Sequence, residues 1–303
     1  MNFFSIIITT YNRPEKLKRA IESVVNQSFE NYELIIVNDG STSDYNTIEE
    51  YIKPFPQIKY FFKKNEERSI ARNFGVENSS GTWICFLDDD DYYEPNHLEI
   101  FHHKIIELNH TPALYYTISK TLDKNGNLKN ETFVERPVDY TPQEYCLTVG
   151  HIPMNCTCYH KNSLIEFPFD STLWMTEDKH QQVRMMSKYK IVPILAHTAV
   201  VDRSGDNTWG TGTFKSMHQE YLSYLKIFSL PELKGKVRQS IINERLYSLL
   251  FFVLNDHFKQ LSTSVFIRYT SRIFKYKSSF SVLKWIFKLY IKFTIHKCGF
   301  SKL

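Results

Sequence analysis

The hydrophobic pattern opens with short unbroken apolar runs, each ending in a polar turn. Phe3 to Thr9 is such a run, of the kind found in strands covered on both faces. "TTYNRP" breaks it, and Pro14 stands where a first helical residue is tolerated. Leu17, Ala20, Ile21, Val24 and Val25 then recur at helical spacing, which predicts an amphipathic helix ending near Gln27. "YELIIVNDGS" repeats strand and turn, with Asp39-Gly40-Ser41 as the turn. A helix around 43–53, a strand around 58–62, a helix around 69–77 and a buried strand at 82–87 follow. This β-α-β-α-β-α-β order predicts a mostly parallel sheet flanked by helices, an α/β fold. In such sheets ligands bind at the carboxyl ends of the strands. Tyr11-Asn12-Arg13, Asp39-Gly40-Ser41 and the run Asp88-Asp89-Asp90-Asp91 all fall at such ends.

Beyond Pro95 the pattern changes. A helix at about 96–108 leads to a strand at 113–119, a hairpin across "DKNGN", and a further strand at "NCTCYH". "WMTEDKHQQVRMM" reads as a polar turn entering a helix, and "YKIVPILAHTAVVDR" as a strand. From about Phe214 the chain is helical. The expected division is 1–212, with a first half to about 108 and a second half 109–212, followed by a helical extension 213–303.

Composition adds little until the charges are located. Apolar residues make up 42% and charged residues 23%, as in a globular protein. After Asp256 there are ten basic residues and no acidic one, leaving 27 basic against 33 acidic residues before that point. The positive character therefore belongs to the C-terminal segment alone. The five cysteines have no zinc spacing and read as small buried residues of a reducing compartment. His97, His102 and His103 share one helix without further ligands and read as structural. With no leader-like segment and no apolar stretch of about 18 residues, the expected location is cytoplasmic.

The four aspartates carry the sharpest signal. Like charges about 6 Å apart repel by roughly 3 kcal/mol per pair at an effective dielectric of about 20. A bound divalent cation removes that cost, and Mg²⁺ or Mn²⁺ takes one or two carboxylates with phosphate oxygens completing its shell. The bland reading is a solvated acidic loop, but its place at the end of a buried strand favours the metal.

The stretch from "SIIITTYNRPEKLKRA" through "IIVNDGSTSD", and then "IARNFGVENSSGTWICFLDDDDYYEP", resembles the donor-binding half of family 2 glycosyltransferases over residues 3–108. The resemblance implies a GT-A fold and a metal-dependent, inverting transfer from a nucleotide sugar, expected to be a UDP-sugar. The acceptor it implies is a glycan or lipid-linked hydroxyl in cell-surface polysaccharide synthesis. It places Thr9 and Asp39 at the nucleoside, with Asp39 accepting from a uracil N3–H, and Tyr11 among the residues binding the nucleotide sugar. An Asx-turn is the other reading of Asp39. Arg72 falls near the donor phosphates, where a helix-surface arginine is an equally good reading. The family's Asp-x-Asp falls on Asp88 and Asp90, with Asp90 as metal ligand and Asp88 and Asp89 near ribose and diphosphate; Asp91 is read as a turn cap. The family's base lies in a Glu-Asp pair at a helix start, which here is Glu177-Asp178. Asp178 is the expected base; a pair of helix N-terminal acids is the alternative. Arg203 in "VDRSGDNT" matches a diphosphate-contacting segment.

Two other functions fit such a scaffold. A sugar nucleotidyltransferase would show a glycine-rich basic loop after the first strand, and "TTYNRPEKL" has no glycine. A non-catalytic nucleotide-sugar binder would lack the base or the metal motif. In the tail, Lys284, Lys288 and Lys292 form a stripe beside Trp285, Ile286, Leu289 and Phe293, which suits a helix lying on an anionic membrane surface at its inner face. A helix packed on the rest of the protein is the alternative, and no motif points to nucleic acid.

Overall fold

A computed structural model of the protein describes residues 2–150, 152–205 and 213–297. The chain forms two compact units, residues 1–207 and 208–303. The expected boundary at 212/213 falls on a segment outside the described residues.

In the first unit the elements are β1 (Phe4–Thr10), α1 (Pro14–Val25), β2 (Tyr32–Asp39), α2 (Asn46–Ile52), β3 (Ile58–Lys63), α3 (Glu67–Glu77), β4 (Trp83–Asp88), β5 (Tyr92–Tyr93) and α4 (His97–Glu107). They continue with β6 (Ala113–Leu122), β7 (Leu128–Asn130), α5 (Pro142–Leu147), β8 (Thr157–His160), α6 (Lys161–Glu166), α7 (Glu177–Met185) and β9 (Lys190–Asp202). The sheet order is β3-β2-β1-β4-β8-β6-β9-β5, with β7 paired to β6. β3, β2, β1 and β4 are parallel, as the alternation predicted. Beyond them β8 runs antiparallel to both β4 and β6, so the sheet is mixed in its second half.

β2 is buried along its whole length, and β1 and β4 nearly so, because helices cover both faces. Phe4, Ile6, Ile8, Leu34, Ile36, Cys85 and Leu87 form the core with Leu17, Ala20, Ile21 and Val24 of α1. On the other face α3 packs against β1 and β2. There a Cβ on Gly75 would stand 2.5 Å from Ile7 Cγ2, so the helix approaches only because glycine is present. Two short helices, α5 and α6, and the two-residue β5 were not anticipated. α5 carries a full capping box, Thr141 accepting from the Glu144 N–H and Glu144 from the Thr141 N–H.

The second unit contains α8 (Phe214–Phe228), α9 (Gln239–His257), α10 (Thr263–Tyr276) and α11 (Phe280–Lys297). One expectation is corrected here. Leu289 and Phe293, assigned to a membrane-facing surface, are buried within this helical unit. Phe293 stacks on Phe266 at 3.9 Å and Trp285 lies against Phe251 at 4.7 Å between ring centroids. Among the described residues no helix is long and apolar enough to cross a membrane.

Candidate active site

Strand register brings the chemistry-bearing residues to one level. Thr9 on β1 pairs with Asp88 on β4, Thr10 with Asn38 on β2, and Asp39 with Lys63 on β3. The chain steps outward from β1 to β2 and β3, then returns to place β4 on the other side of β1. The crevice at such a reversal, outside the carboxyl ends, is where parallel sheets bind ligands.

The turns after β1 and β2 are fastened to each other. Asn12 has φ 57°, a conformation asparagine tolerates better than most residues. Its Oδ1 accepts the N–H groups of Thr42 at 2.8 Å and Ser43 at 3.0 Å, while its own N–H donates to Ser41 Oγ at 2.8 Å. Asn38 closes the second turn, accepting from the Ser41 N–H at 2.9 Å and donating to the Tyr60 hydroxyl at 2.7 Å. Gly40 has φ 77°, and a Cβ there would meet the Asn65 backbone nitrogen at 2.4 Å. Asp39 is buried, and its Oδ1 accepts from Lys63 Nζ at 2.9 Å and from the Glu66 N–H at 3.1 Å. Thr9 is half-buried at this level, and Tyr11 is exposed.

The four aspartates divide into distinct roles. The Asp88 side chain is 42% exposed and pairs with Arg72 Nη2 at 3.0 Å. Asp89 turns inward, accepting from the Thr10 hydroxyl at 2.8 Å and from Arg13 at 3.1 Å. Burial raises its carboxyl to about 6, against the pull of Arg13 and Thr10 and with help from the charges of Asp90 and Asp88. Asp90 accepts from Arg13 at 3.1 Å and lies 3.8 Å from Lys16 Nζ; burial, then the like charge of Asp88, raise it as well.

Asp91 does more than close a turn, which corrects its reading as a cap. Its buried carboxylate accepts from Asn155 Nδ2 at 2.9 Å and from the Asp202 N–H at 2.9 Å. A carboxylate buried this deeply needs such donors. The bonds draw the end of β9 to the aspartate run. Arg19 joins the same two segments, donating to the Asp90 carbonyl at 2.8 Å and pairing with Asp202 at 2.5 Å. Arg203, the next residue, is exposed, and its backbone N–H bonds the Leu122 carbonyl at 2.9 Å.

Arg72 is the other connector. It is buried on α3 and pairs with Asp88 at 3.0 Å and Glu177 Oε1 at 2.8 Å. Burial alone would disfavour its charge, but Asp88, Glu177 and Asp178 outweigh that and hold the guanidinium ionised. Thr176 precedes α7 at φ 57°, an unusual conformation for a β-branched residue, and Asp178 lies in the first turn. Glu177 is thus committed to Arg72, and Asp178 is the half-buried neighbour on the same turn. The sequence reading missed the linking work of Asn12, Arg13 and Arg19. The signal available for Arg13 was the aspartate run itself, since buried like charges require cations nearby.

Among the described residues no three His, Cys, Asp or Glu side chains converge as a metal site. Asp88 and Asp90 are the carboxylates that the Asp-x-Asp expectation names, and each is ion-paired here, with Arg72 and with Arg13. Two protein ligands suit a hard cation that completes its shell from a diphosphate, and the raised Asp90 carboxyl is one that a cation would hold ionised.

The profile of the family described as glycosyl transferase family 2 matches residues 5–164. An uncharacterized glycosyltransferase of Rickettsia bellii is 48% identical over 96 residues, 32% of this chain. The chain covers only 14% of that protein's length and similarly small shares of the next relatives. The GalNAc(5)-diNAcBac-PP-undecaprenol beta-1,3-glucosyltransferase of Campylobacter jejuni is 25% identical over 78% of this chain and 75% of its own length. Among solved structures, TarS 1-349 of S. aureus in complex with UDP-GlcNAc superposes with a TM-score of 0.64. It is 18% identical, over 90% of this chain and 80% of that one. The mannosyltransferase PcManGT of Pyrobaculum calidifontis, in complex with GDP-Man and Mn2+, has a TM-score of 0.59. It is 12% identical, over 98% and 86% of the two chains. These likenesses show the GT-A fold expected from the sequence.

Proposed function

Since the chain belongs to glycosyl transferase family 2, we propose that it moves a sugar from a nucleoside-diphosphate donor to a hydroxyl of a saccharide or lipid-linked saccharide. Inversion at the anomeric carbon and a place in surface-polysaccharide synthesis are part of this reading. The observation that supports it best is the Arg72 bridge, which ties the aspartate end of β4 to the first turn of α7. In this reading the donor-binding carboxylates and the candidate base stand on the two segments that Arg72 joins.

UDP is the favoured carrier. TarS was crystallised with UDP-GlcNAc, and Asp39 spends only Oδ1 on Lys63 and Glu66, leaving Oδ2 for the N3–H of uracil. Thr9 and Tyr11 would complete the nucleoside site. Arg72, Asp88, Asp89 and Arg203 lie toward ribose and diphosphate, with Asp89 acting by holding Arg13 in place. Asp90, with Asp88 beside it, would hold Mn²⁺ or Mg²⁺; the Mn2+ in PcManGT supports this assignment. When bound, the metal supplies positive charge that steadies the departing diphosphate.

In the transfer itself the acceptor oxygen forms the new bond to the anomeric carbon, whose bond to the diphosphate oxygen breaks on the opposite face. The acceptor proton passes to Asp178. Glu177 is the poorer candidate, because it is buried and its Oε1 is paired with Arg72, whereas Asp178 is half-buried. The Campylobacter relative's undecaprenol-linked substrate supports a lipid-linked acceptor; that it is reached from the cytoplasmic side of a membrane is part of the proposal.

The test is Asp178→Asn. UDP affinity by calorimetry with Mn²⁺ should stay within about twofold, while sugar release from UDP-GlcNAc, to acceptor or to water, falls by about 100-fold or more. Near-normal turnover in the variant would overturn the base assignment. Failure of UDP and GDP alike to bind the wild type would overturn the donor reading.

A further inference from the structure

Helix α11 is apolar on two opposite faces. Val282, Leu289 and Phe293 form the buried one. Phe280, Leu283, Phe287, Ile291 and Ile295 form the other. They recur at intervals of three and four residues, and exposure runs from 43% at Ile295 to 73% at Phe280. A helix that only packs on its own domain turns a polar face outward. A continuous apolar stripe in water marks an interaction surface instead. Lys284, Lys288 and Lys292 each follow one stripe residue, so they run along its flank, and all three are exposed. No acidic residue occurs in the chain after Asp256 to neutralise them.

We propose that this outward face of α11 seats the protein on a phospholipid bilayer bearing anionic headgroups. The helix lies in the interfacial plane, stripe toward the acyl chains and lysines reaching phosphate. The layered chemistry argues for lipid. An apolar strip with cations along one edge matches the boundary between hydrocarbon and anionic headgroups. A second copy of this chain would bring two lysine rows together, and repulsion disfavours that arrangement. The proposal deepens, and for its purpose rests on, the reading of a lipid-linked acceptor. The contacting face differs from the Trp285, Ile286, Leu289 and Phe293 surface expected from the sequence.

The experiment uses the full chain with phosphatidylcholine vesicles, with and without phosphatidylglycerol, at low and high salt. The wild type should co-sediment with the anionic vesicles and release as salt rises. Phe287→Ser combined with Ile291→Ser should weaken binding by about tenfold or more at both salt concentrations, because insertion is lost. Replacing Lys284, Lys288 and Lys292 with Gln should instead remove the preference for anionic vesicles. All these side chains are exposed, so circular dichroism and UDP affinity should match the wild type. A wild type that ignores anionic vesicles at low salt overturns the proposal, as does a serine pair that binds normally. Sedimentation velocity showing a dimer that the serine pair abolishes would assign the stripe to a second copy. Sugar transfer to a soluble saccharide without vesicle binding would defeat this proposal and leave the proposed function standing; vesicle binding without UDP binding would do the reverse.

Discussion

At the scale of single residues, Asp90 combines legible and hidden information. Its place in an aspartate run at a strand end made it the expected cation ligand. Its pairing with Arg13 and proximity to Lys16 are visible only in the folded chain. Arg13 and Lys16 supply positive charge beside Asp90 from the protein itself. Asp90→Asn should therefore leave metal-free UDP affinity within a fewfold and abolish the gain conferred by Mn²⁺, a loss of about tenfold or more in affinity. Stability should change by no more than about 1 kcal/mol, since its ion pairs are partly solvated. Calorimetry with and without Mn²⁺ measures the first effect and urea unfolding the second. An unchanged Mn²⁺ dependence would remove Asp90 from the metal assignment.

At the scale of elements, the parallel strands and their helices were readable because a strand covered on both faces is apolar throughout. Boundaries fell within a few residues of those expected. The fastening of one turn to another was not readable, since Asn12 and the Thr42-Ser43 backbone meet only after β1 and β2 pair. Asn12→Ala places alanine at φ 57° and strips acceptors from two backbone N–H groups. It should cost about 1–2 kcal/mol of stability and lower UDP affinity, because the turn beside Asp39 loosens. Denaturant unfolding and calorimetry report both; unchanged affinity would separate this turn from the nucleotide site. Helix α11 teaches the converse. Its periodicity announced an amphipathic helix, but with apolar residues on two faces the sequence could not say which one the neighbouring helices would take.

At the scale of the whole molecule, the end of the sheet opposite the site holds a buried charge that couples folding to pH. Glu33 at the start of β2 accepts from Ser5 at 2.6 Å, Lys59 at 2.6 Å and the Ser80 N–H at 2.5 Å. Burial alone would raise its carboxyl, but Lys59, Ser5 and Ser80 together bring it down to about 2. The folded value lies below the unfolded one, so its contribution is complete above about pH 4.5 and is lost as pH falls toward about 2. Glu33→Gln should lower stability at pH 7 by on the order of 2 kcal/mol, discounted for the half-exposed Lys59, and flatten the acid decline in that window. Urea midpoints across pH 2–7 test it, and parallel curves for the two proteins would refute the assignment. Glu33 also marks the division between what each level determines. The sequence by itself determined the alternation of strand and helix, the placing of Asp39 and Asp88 at strand ends, and a basic C-terminal segment, because these follow from local periodicity and composition. Only the tertiary structure decided that Arg72 joins Asp88 to Glu177, that Asp91 holds the end of β9, and which face of α11 meets water. Each of those depends on a buried charge or apolar surface finding its partner across many residues of chain, and burial is a property of the packed molecule.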